Sequence, residues 1–516
     1  MIGITSGYFF LLLLGGGIIY YALPKKQWII SLVLSLLYYF FASTPWTFLC
    51  ILGASTIAFF STKYIARSYN ETHSIKDKGI LFLALFLVIG LWLGFAGRDF
   101  WITPANAICT MFGREMPFQG SLWAVPMGMG YYTAQVMGYI LDCYMGVAKP
   151  HNNFFKLLLF VCFFPQLTTG PISRSHQLES LYQPHQLSYD NITHGIQRLM
   201  WGLGKKMILA DRAGIIVNTI WGNLSAYNGY YHWVALLLYP VQMYCDFSGC
   251  MDIVIGAARI FGIKLPENFK NPFFSRNIQE FWQRWHITLG NWAKDYVMYP
   301  LLKTPLMIRL SSRCKHKFGK RMGRFIPTAL GSLMVWLSMG IWHGGIKHIV
   351  GVSIYYWFFL TLGDLLKPAF SKLTDFLKID TKVFSWHLFQ SLRTYLIYGF
   401  GAVFFRAGSI KEAVGFIGSL FTMFFNGEYN PWIWVDGSLN HLGLDYKDMT
   451  VMICAVLIVL IAESMNERMN KPVITWVAQQ NLVFRWGLYI LGFFALITFG
   501  LYGPDYNAAA FIYGGF

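Results

Sequence analysis

Residues 79–94 read GILFLALFLVIGLWLG, a run of consecutive apolar residues and glycines without one charged side chain. Similar runs recur along the chain, at Tyr8–Leu23, Trp28–Phe41, Leu157–Phe164, Val451–Ile461 and Leu488–Leu501. With their uncharged flanks, Met1–Pro24 and Gln27–Thr62 exceed the ~20 residues that a helix needs to cross a bilayer. These runs predict an all-α polytopic membrane protein with about 11 to 13 membrane-embedded segments, some of them re-entrant.

The composition supports a membrane protein built as one domain. Hydrophobic residues make up 55% of the 516 residues and charged residues 13%, whereas a soluble domain carries about 25% charged residues. The start of the chain has no basic segment and no small-residue cleavage site, so we expect a first membrane helix and not a removed signal peptide. Polar stretches such as Ser173–Asn191 are too short for a separate core. A single membrane-embedded domain over residues 1–516 is predicted.

The net charge of +17 raises the question of nucleic-acid binding. In a membrane protein, Lys and Arg instead collect in cytoplasmic loops and contact anionic lipid headgroups. We therefore expect lipid contacts and no nucleic acid. Lys303–Arg324, called the basic segment below, holds eight Lys and Arg residues and no acidic residue. It is predicted to face the cytoplasm; an alternative is contact with an acidic partner or with the phosphates of a cofactor.

The cysteines give no sign of a disulfide framework or a metal site. The chain has 8 cysteines, scattered mostly through apolar runs, and no C-x-x-C pair. Paired or closely spaced cysteines are the usual signature of both kinds of site. No metal is expected.

Two histidines are the first candidates for chemistry. His343 follows an apolar stretch in the run MGIWHGG at residues 339–345, and His286 ends the aromatic run FWQRWH at residues 281–286. An ionisable residue at membrane depth is costly and usually faces a cavity. Neutral imidazole suits general-base catalysis near neutral pH. The alternative for each is an interfacial histidine without a chemical role.

Residues Gly262–Pro300 mix polar and aromatic side chains. Phe281, Trp285, Leu289, Trp292 and Tyr296 recur at three- and four-residue steps, which predicts one amphipathic helix with an aromatic stripe. His286 lies beside that stripe. The helix is expected at the membrane interface or inside a cavity.

Two aspartates and the chain end complete the candidates. Asp246 and Asp252 follow an apolar stretch and need partners if they are buried; Arg276, Arg284 and the two histidines are the candidates, and structural ion pairs are expected. The tail, about residues 505–516, ends in FIYGGF. An end so apolar is expected to be docked, since free chain ends are poorly ordered.

Several of these stretches together resemble the membrane-bound O-acyltransferase family, in the bacterial branch that includes the alginate O-acetylation and teichoic-acid D-alanylation proteins. The resemblance covers most of the chain. The similar stretches are Tyr131–Gln135 with Asp142, Phe164–Arg174, Tyr244–Asp252, Glu267–Phe269 with Pro272, Glu280–His286, Trp342–Gly344 and Phe404–Ala407.

The resemblance implies a ring of tilted helices around a central funnel or tunnel that leads to the active site from both sides. It implies that His343 is the catalytic histidine and that His286 is the second motif histidine. It also implies that Tyr513 in the tail transiently carries the acyl group. The residues expected to line the tunnel or to support the site are Gln135, Asp246, Asp252, Asn271, Arg284, Trp285 and Trp342.

The implied activity is acyl transfer in a bacterial cytoplasmic membrane. A cytoplasmic thioester, acetyl-CoA or an acyl carrier protein, is the expected donor, and no permanently bound cofactor is expected. The expected partners are an extracytoplasmic acyltransferase of the same pathway and a glycan acceptor. D-alanyl transfer from a carrier protein to teichoic acid is the alternative within this class. A proton-coupled transporter and a structural scaffold of the cell envelope are alternatives outside it.

Overall fold

The computed structural model describes residues 3–67, 75–114, 125–227, 229–425, 432–433, 436–503 and 506–507. Over these residues the fold is helical, and the only β-type pairing is an isolated antiparallel bridge between Phe269 and Trp285. The α-helices are α1 (Gly7–Ala22), α2 (Gln27–Ala42), α3 (Pro45–Arg67), α4 (Ile75–Phe95), α5 (Asp99–Met111), α6 (Met129–Tyr144), α7 (Phe154–Cys162), α8 (Tyr189–Leu203), α9 (Asp211–Gly222), α10 (Tyr230–Ile260), α11 (Ile278–Arg284), α12 (Ile287–Ala293), α13 (Tyr299–Leu302), α14 (Pro305–Trp342), α15 (Ile346–His348), α16 (Tyr355–Phe376), α17 (Phe384–Arg406), α18 (Ile410–Thr422), α19 (Tyr446–Met469), α20 (Val473–Ala478) and α21 (Leu482–Phe499).

The predicted class, an all-α polytopic membrane protein, is confirmed. Among the described residues, 6 helices are long and apolar enough to cross a bilayer. A seventh span results if α1 and α2, which meet at a bend of 111°, count as one. The larger number of embedded segments expected from the sequence also included shorter and more polar helices, which this criterion of length and composition leaves out.

Helices α8 and α10 pack with their backbones in direct contact. Gly202 of α8 faces Gly249 of α10, and a Cβ added to either would lie within 2.8 Å of the other's carbonyl oxygen. Gly195 and Gly256 form a second such pair one heptad away, with the corresponding distances again at most 2.8 Å. Small residues at a membrane helix interface permit this approach. The contact places the chain that follows α8 directly beside the polar centre of α10.

The chain after α8 winds as a π-helical turn, Gly204–Ala210, before α9 begins. Two further π-helical turns, Lys294–Met298 and Ile349–Ile354, precede α13 and α16. Such wide turns are rare and occur often at functional sites. Here they join the helices that surround the candidate site.

The basic segment forms the first part of α14 together with the end of the preceding turn. Gly319, with φ 85° and ψ 172°, breaks α14 into two arms that fold against each other. Ser311 of the first arm donates a hydrogen bond to the carbonyl of Gly323 in the second, at 2.7 Å. The second arm continues to Trp342 and carries the apolar half of the helix.

Candidate active site

His343 and His286 line one cavity of about 340 Å³. Its wall is mainly aromatic and aliphatic, with Trp282, Trp285, Trp336, Tyr356, Tyr398 and Phe405 as its largest rings. We call it the histidine cavity. The sequence therefore identified two histidines that the fold brings to the same enclosed space.

The histidine cavity follows α14 as a channel. The lining residues of α14 include Phe325, Thr328, Ser332, Met339 and the capping residue His343, at steps of three, four or seven residues. Because an α-helix rises 1.5 Å per residue, this face extends over about 27 Å. One end lies next to the basic segment, which ends at Arg324. The other end lies at the histidines.

His286 occupies a break between two short helices. The sequence predicted one amphipathic helix here, and that prediction is wrong: α11 ends at Arg284 and α12 begins at Ile287. His286 takes the left-handed conformation, with φ 45°. Backbone hydrogen bonds of 2.9 Å from Lys270 N to Arg284 O and 3.0 Å from Ile287 N to Asn268 O tie the break to the segment before α11. The turn aims the imidazole into the cavity.

The amide of Asn268 determines which nitrogen of His286 carries the proton. Its Oδ1 accepts hydrogen bonds from the Thr288 backbone N–H at 3.1 Å and from the Thr288 hydroxyl at 2.9 Å. This atom is therefore the oxygen, and it also lies 3.2 Å from His286 Nδ1. An acceptor requires Nδ1 to be the protonated nitrogen. The Nε2 of His286 then offers its lone pair, and it is buried without a hydrogen-bond partner among the described residues.

His343 caps the C-terminal end of α14. Its backbone N–H donates to Met339 O at 3.0 Å, and the positive φ values of Gly344 and Gly345, 81° and 78°, turn the chain sharply after it. The imidazole packs edge-on against Phe405, with ring centroids 5.3 Å apart. The sharp turn keeps the imidazole at the inner end of the channel.

Trp342 connects the two histidines. Its ring centroid lies 4.9 Å from that of His343 and 6.2 Å from that of His286. The indole N–H donates to the carbonyl of Gly130 in α6 at 3.1 Å. Trp342 thus contacts both imidazoles and is attached to α6 by this hydrogen bond. This predicted support residue therefore has a direct structural role.

Burial favours the neutral form of both imidazoles by lowering their pKa. Burial lowers the pKa of His286 to about 3. Burial also lowers the pKa of His343, and the neighbouring His348 and His286 add to the decrease. A lowered pKa means that the charged form appears only in acid, so near pH 7 each ring keeps a lone pair that can accept a proton.

Three further predicted residues hold the break in place. Trp285 is buried at the wall of the cavity and stacks on Phe281, with centroids 5.5 Å apart. Arg284 pairs with Glu280 at 2.6 Å and with Glu467 of α19 at 2.8 Å. The amide nitrogen of Asn271 also lies 3.4 Å from Glu467. Arg284 and Asn271 therefore attach the break to α19, outside the cavity wall.

Gln135 lies away from the histidine cavity. It is buried in α6, and its side-chain N–H donates to the carbonyl of Phe160 in α7 at 3.0 Å. Its role in the described structure is to connect these two helices.

Asp246 and Asp252 form buried ion pairs, as predicted, but with other partners than the arginines and histidines proposed from the sequence. Asp246 pairs with Lys206 at 2.6 Å. Asp252 pairs with Lys205 at 2.5 Å and with Arg198 at 2.9 Å. These pairs form because the glycine contacts of α8 and α10 bring the π-helical turn against the aspartates.

Sequence analysis missed the two lysines. Lys205 and Lys206 are 5% and 3% exposed, and buried lysines are rare unless they are paired. The signal was present: the pair interrupts the otherwise uncharged run MWGLGKKMILA at residues 200–210. Two cations in an apolar run require two anions nearby in the fold.

A second cavity, of about 470 Å³, lies beside these ion pairs. We call it the polar cavity. Its lining is Lys206, Asp211, Gly214, Ile215, Asn218, Tyr239, Gln242, Asp246, Phe405 and Arg406. Phe405 is the one residue that lines both cavities among those described. The channel that begins beside the basic segment and the polar cavity therefore adjoin at this ring.

The last described residues of the chain reach the rim of the polar cavity. Leu501 N donates to Met207 O at 3.0 Å. The Tyr506 hydroxyl donates to Asp211 Oδ2 at 3.1 Å. Tyr513, the predicted acyl carrier, lies outside the described residues, as does most of the tail around it.

The basic segment is exposed and attached to α16. The side chains of its eight Lys and Arg residues all lie at the surface. Arg321 donates to the carbonyl of Asp364 at 3.1 Å and to that of Leu365 at 2.7 Å. Pro368, four residues after Asp364, has no N–H to bond that carbonyl. Arg321 supplies the missing donor and anchors the segment at the entrance of the channel, which Asp364 also lines.

The chain is thus a helical membrane protein in which two histidines, a residue type suited to proton transfer, line one cavity. The sequence profile of the membrane-bound O-acyltransferase family matches residues 20–307, more than half of the chain. The protein belongs to this family. The matched region includes His286 and the π-helical lysines and ends before His343.

Individual relatives agree with this membership. The chain is 29% identical to the probable alginate O-acetylase of Pseudomonas putida over 342 residues, 66% of this chain and 64% of that protein. It is 28% identical to the peptidoglycan O-acetyltransferase of Helicobacter pylori over 388 residues, 68% of this chain and 66% of that protein. It is 29% identical to the teichoic acid D-alanyltransferase of Bacillus subtilis over 252 residues, 45% and 59% of the two chains. The chain thus spans less than two thirds of the length of these relatives.

Proposed function

We propose that this protein transfers an acyl group from a cytoplasmic thioester to a hydroxyl group and so serves the O-acylation of an extracytoplasmic polysaccharide. The proposed acyl group is acetyl. The observation that carries the proposal is the position of His343 and His286 at the inner end of a channel that begins beside the basic segment. The names of two relatives, an alginate O-acetylase and a peptidoglycan O-acetyltransferase, support acetyl as the group and a glycan as the acceptor.

The basic segment marks the donor side. By the distribution of Lys and Arg in membrane proteins it faces the cytoplasm, here the cytoplasm of a bacterium. Acetyl-CoA and acyl carrier proteins are both polyanions, which an exposed segment of eight cations and no anion attracts. The narrow channel admits the thioester arm, and the apolar rings along it exclude water.

His343 acts as general base in this proposal. It removes the proton from the attacking hydroxyl while the oxygen bonds to the thioester carbonyl carbon. The carbon–sulfur bond then breaks, and the thiolate leaves and takes up a proton. The neutral state of His343 is the one that this step requires. His286 lines the same cavity, and its buried Nε2 lone pair is an alternative acceptor for the same proton.

Tyr513 is the proposed first acceptor. The chain enters the rim of the polar cavity at Tyr506, and the seven residues from there to Tyr513 extend over at most about 25 Å. A phenol of pKa about 10 needs a base to react at neutral pH, which is the role given to His343. The acyl-tyrosine then passes the group to an extracytoplasmic acyltransferase or directly to the glycan.

D-alanyl transfer from a carrier protein to teichoic acid is the second candidate. The similarity to the teichoic acid D-alanyltransferase of Bacillus subtilis favours it. The same histidines and the same channel would serve it, with a larger acyl group and a protein donor.

The test is His343→Ala in the full-length protein, assayed for O-acetylation of the cell-surface polysaccharide. Loss of a general base lowers the rate by about 10² to 10⁴, so we expect ester content near background. The matched control is His441→Ala, because His441 is exposed, lies outside the basic segment and lines neither cavity. Normal O-acetylation with folded His343→Ala protein would rule out this role.

A further inference from the structure

Phe405 is the point where the two cavities meet. Its ring lies edge-on to His343 and to His348, with centroids at 5.3 Å and 5.0 Å. On one side is the histidine cavity, and on the other the polar cavity. A single aromatic side chain thus separates the proposed position of the reacting carbonyl from the polar cavity.

The polar cavity is a place where water is stable. Its wall carries the acidic and basic side chains of Lys206, Asp211, Asp246 and Arg406, and Lys206 pairs with both aspartates. The Oε1 of Gln242 faces it buried and without a hydrogen-bond partner in the described structure. Cavities with several polar groups are hydrated, whereas apolar ones of similar size stay dry. Water therefore reaches one face of Phe405.

The backbone on both sides of Phe405 is fixed. Phe404 packs so closely on Gly351 that a Cβ added to that glycine would lie 2.0 Å from Phe404 Cβ. Arg406 donates to Asn218 Oδ1 at 2.9 Å, and the carbonyl of Ala407 accepts a hydrogen bond of 2.7 Å from Lys347. With its neighbours anchored in three directions, the ring of Phe405 can move only by rotation of its own side chain.

We infer that Phe405 is a gate that keeps water of the polar cavity away from the donor thioester and that opens only for the acceptor hydroxyl. This inference rests on the proposed function. Without the Phe405 gate, the base that activates the acceptor hydroxyl would activate water equally. The water oxygen then bonds to the acyl carbon, the carbon–sulfur bond breaks, one proton goes to the thiolate, and the acid is released unproductively.

The experiment combines two readouts on Phe405→Ala protein in sealed vesicles. The first is free thiol released from acetyl-CoA without acceptor, counted beyond one equivalent per protein. The second readout, which is independent of activity, is labelling of a thiol introduced by Ala402→Cys. Residue 402 lines the histidine cavity and not the polar cavity. A membrane-impermeant maleimide is added on the side of the polar cavity. Labelling is read from the peptide mass, which separates it from labelling of the 8 native cysteines.

We expect thiol release to rise about tenfold because water exclusion is lost, and labelling to appear where Ala402→Cys alone shows none. Phe389→Ala is the matched control, since Phe389 is exposed on the same helix and lines neither cavity, and it leaves both readouts unchanged. Phe405→Leu removes the ring but less of the side chain, is expected to give a smaller rise in both readouts, and serves as the second variant if Phe405→Ala fails to fold.

The outcomes are distinguishable. Labelling that stays at the level of Ala402→Cys alone overturns the gate, whatever the hydrolysis rate. Labelling that appears without any turnover of acetyl-CoA in wild type or variant leaves the gate standing and contradicts the proposed donor.

Discussion

His286 combines an unusual backbone conformation with a buried imidazole. A histidine could be required here for its backbone conformation or for the chemistry of its imidazole. Its φ of 45° is rare for residues other than Gly and Asn. Its Nδ1 is directed at Asn268, and its Nε2 remains buried in the cavity wall. If only the backbone mattered, a residue that accepts this conformation would replace histidine without loss of transfer.

His286→Asn and His286→Ala separate the two explanations. Asn tolerates the left-handed conformation, whereas this conformation costs Ala about 1–2 kcal/mol, so thermal stability is expected to be lower for the Ala variant than for the Asn variant. Transfer is expected to fall about 10²-fold in both variants, because each removes the imidazole. Wild-type transfer by His286→Asn protein would assign His286 a purely conformational role.

At the residue scale, the sequence pointed to the two histidines that share a cavity, but it did not predict the ion-pair partners of the two aspartates. His343 and His286 stood out because histidines are costly in apolar surroundings, and both line one cavity. The ion-pair partners of Asp246 and Asp252 were missed, because the contact depends on how closely α8 approaches α10. That approach is set by glycines on both helices, which no local pattern around the aspartates contains.

At the scale of elements, the apolar runs predicted the long helices correctly. Helical periodicity predicted one helix where the chain forms two short ones. The stripe from Phe281 to Tyr296 has helical spacing, yet the chain breaks at His286 because the Phe269–Trp285 bridge and the bonds of Asn268 outweigh helix continuity. The fold-back of the basic segment at Gly319 is a second example. Its glycine was visible, but the packing of Ser311 on Gly323 is tertiary.

The basic segment yields a prediction about donor binding. Lys315→Gln with Lys317→Gln removes two exposed charges near the entrance of the channel. Exposed charge pairs contribute about 0.2–1 kcal/mol each, so the KM for acetyl-CoA is expected to rise about threefold to tenfold with kcat unchanged, and less so at high salt.

The matched control is Lys25→Gln with Lys26→Gln, which removes two equally exposed charges between α1 and α2. It should leave the KM as in wild type. An equal rise in both double variants would attribute the effect to net charge and would contradict donor binding by the basic segment.

At the scale of the molecule, the two cavities support the proposal that a donor and an acceptor on opposite sides of a membrane meet at one site. Helix α14 leads from the basic segment to His343, and α17 ends at Phe405 and Arg406 beside the polar cavity. Only the acyl group then needs to cross the short distance between them. The CoA portion of the donor stays on its own side, which removes the cost of moving a polyanion through an apolar core.

Under the proposed function the tail carries the acyl group, and this leads to a prediction about its chemistry. The chain arrives at the polar cavity through Tyr506, on the side of Phe405 opposite the channel. After incubation of the purified full-length protein with acetyl-CoA, mass spectrometry of the C-terminal peptide is expected to find an acetyl ester on Tyr513. The ester should be absent from His343→Ala and Tyr513→Phe proteins, because one lacks the base and the other the nucleophile. Tyr502→Phe, in the same tail but exposed, is the control and should retain it. An acetyl ester on Tyr513 in His343→Ala protein would mean that the tail is acylated without this base. If wild-type protein is active but Tyr513 stays unmodified under conditions that trap esters, the acyl group passes directly from the thioester to the sugar.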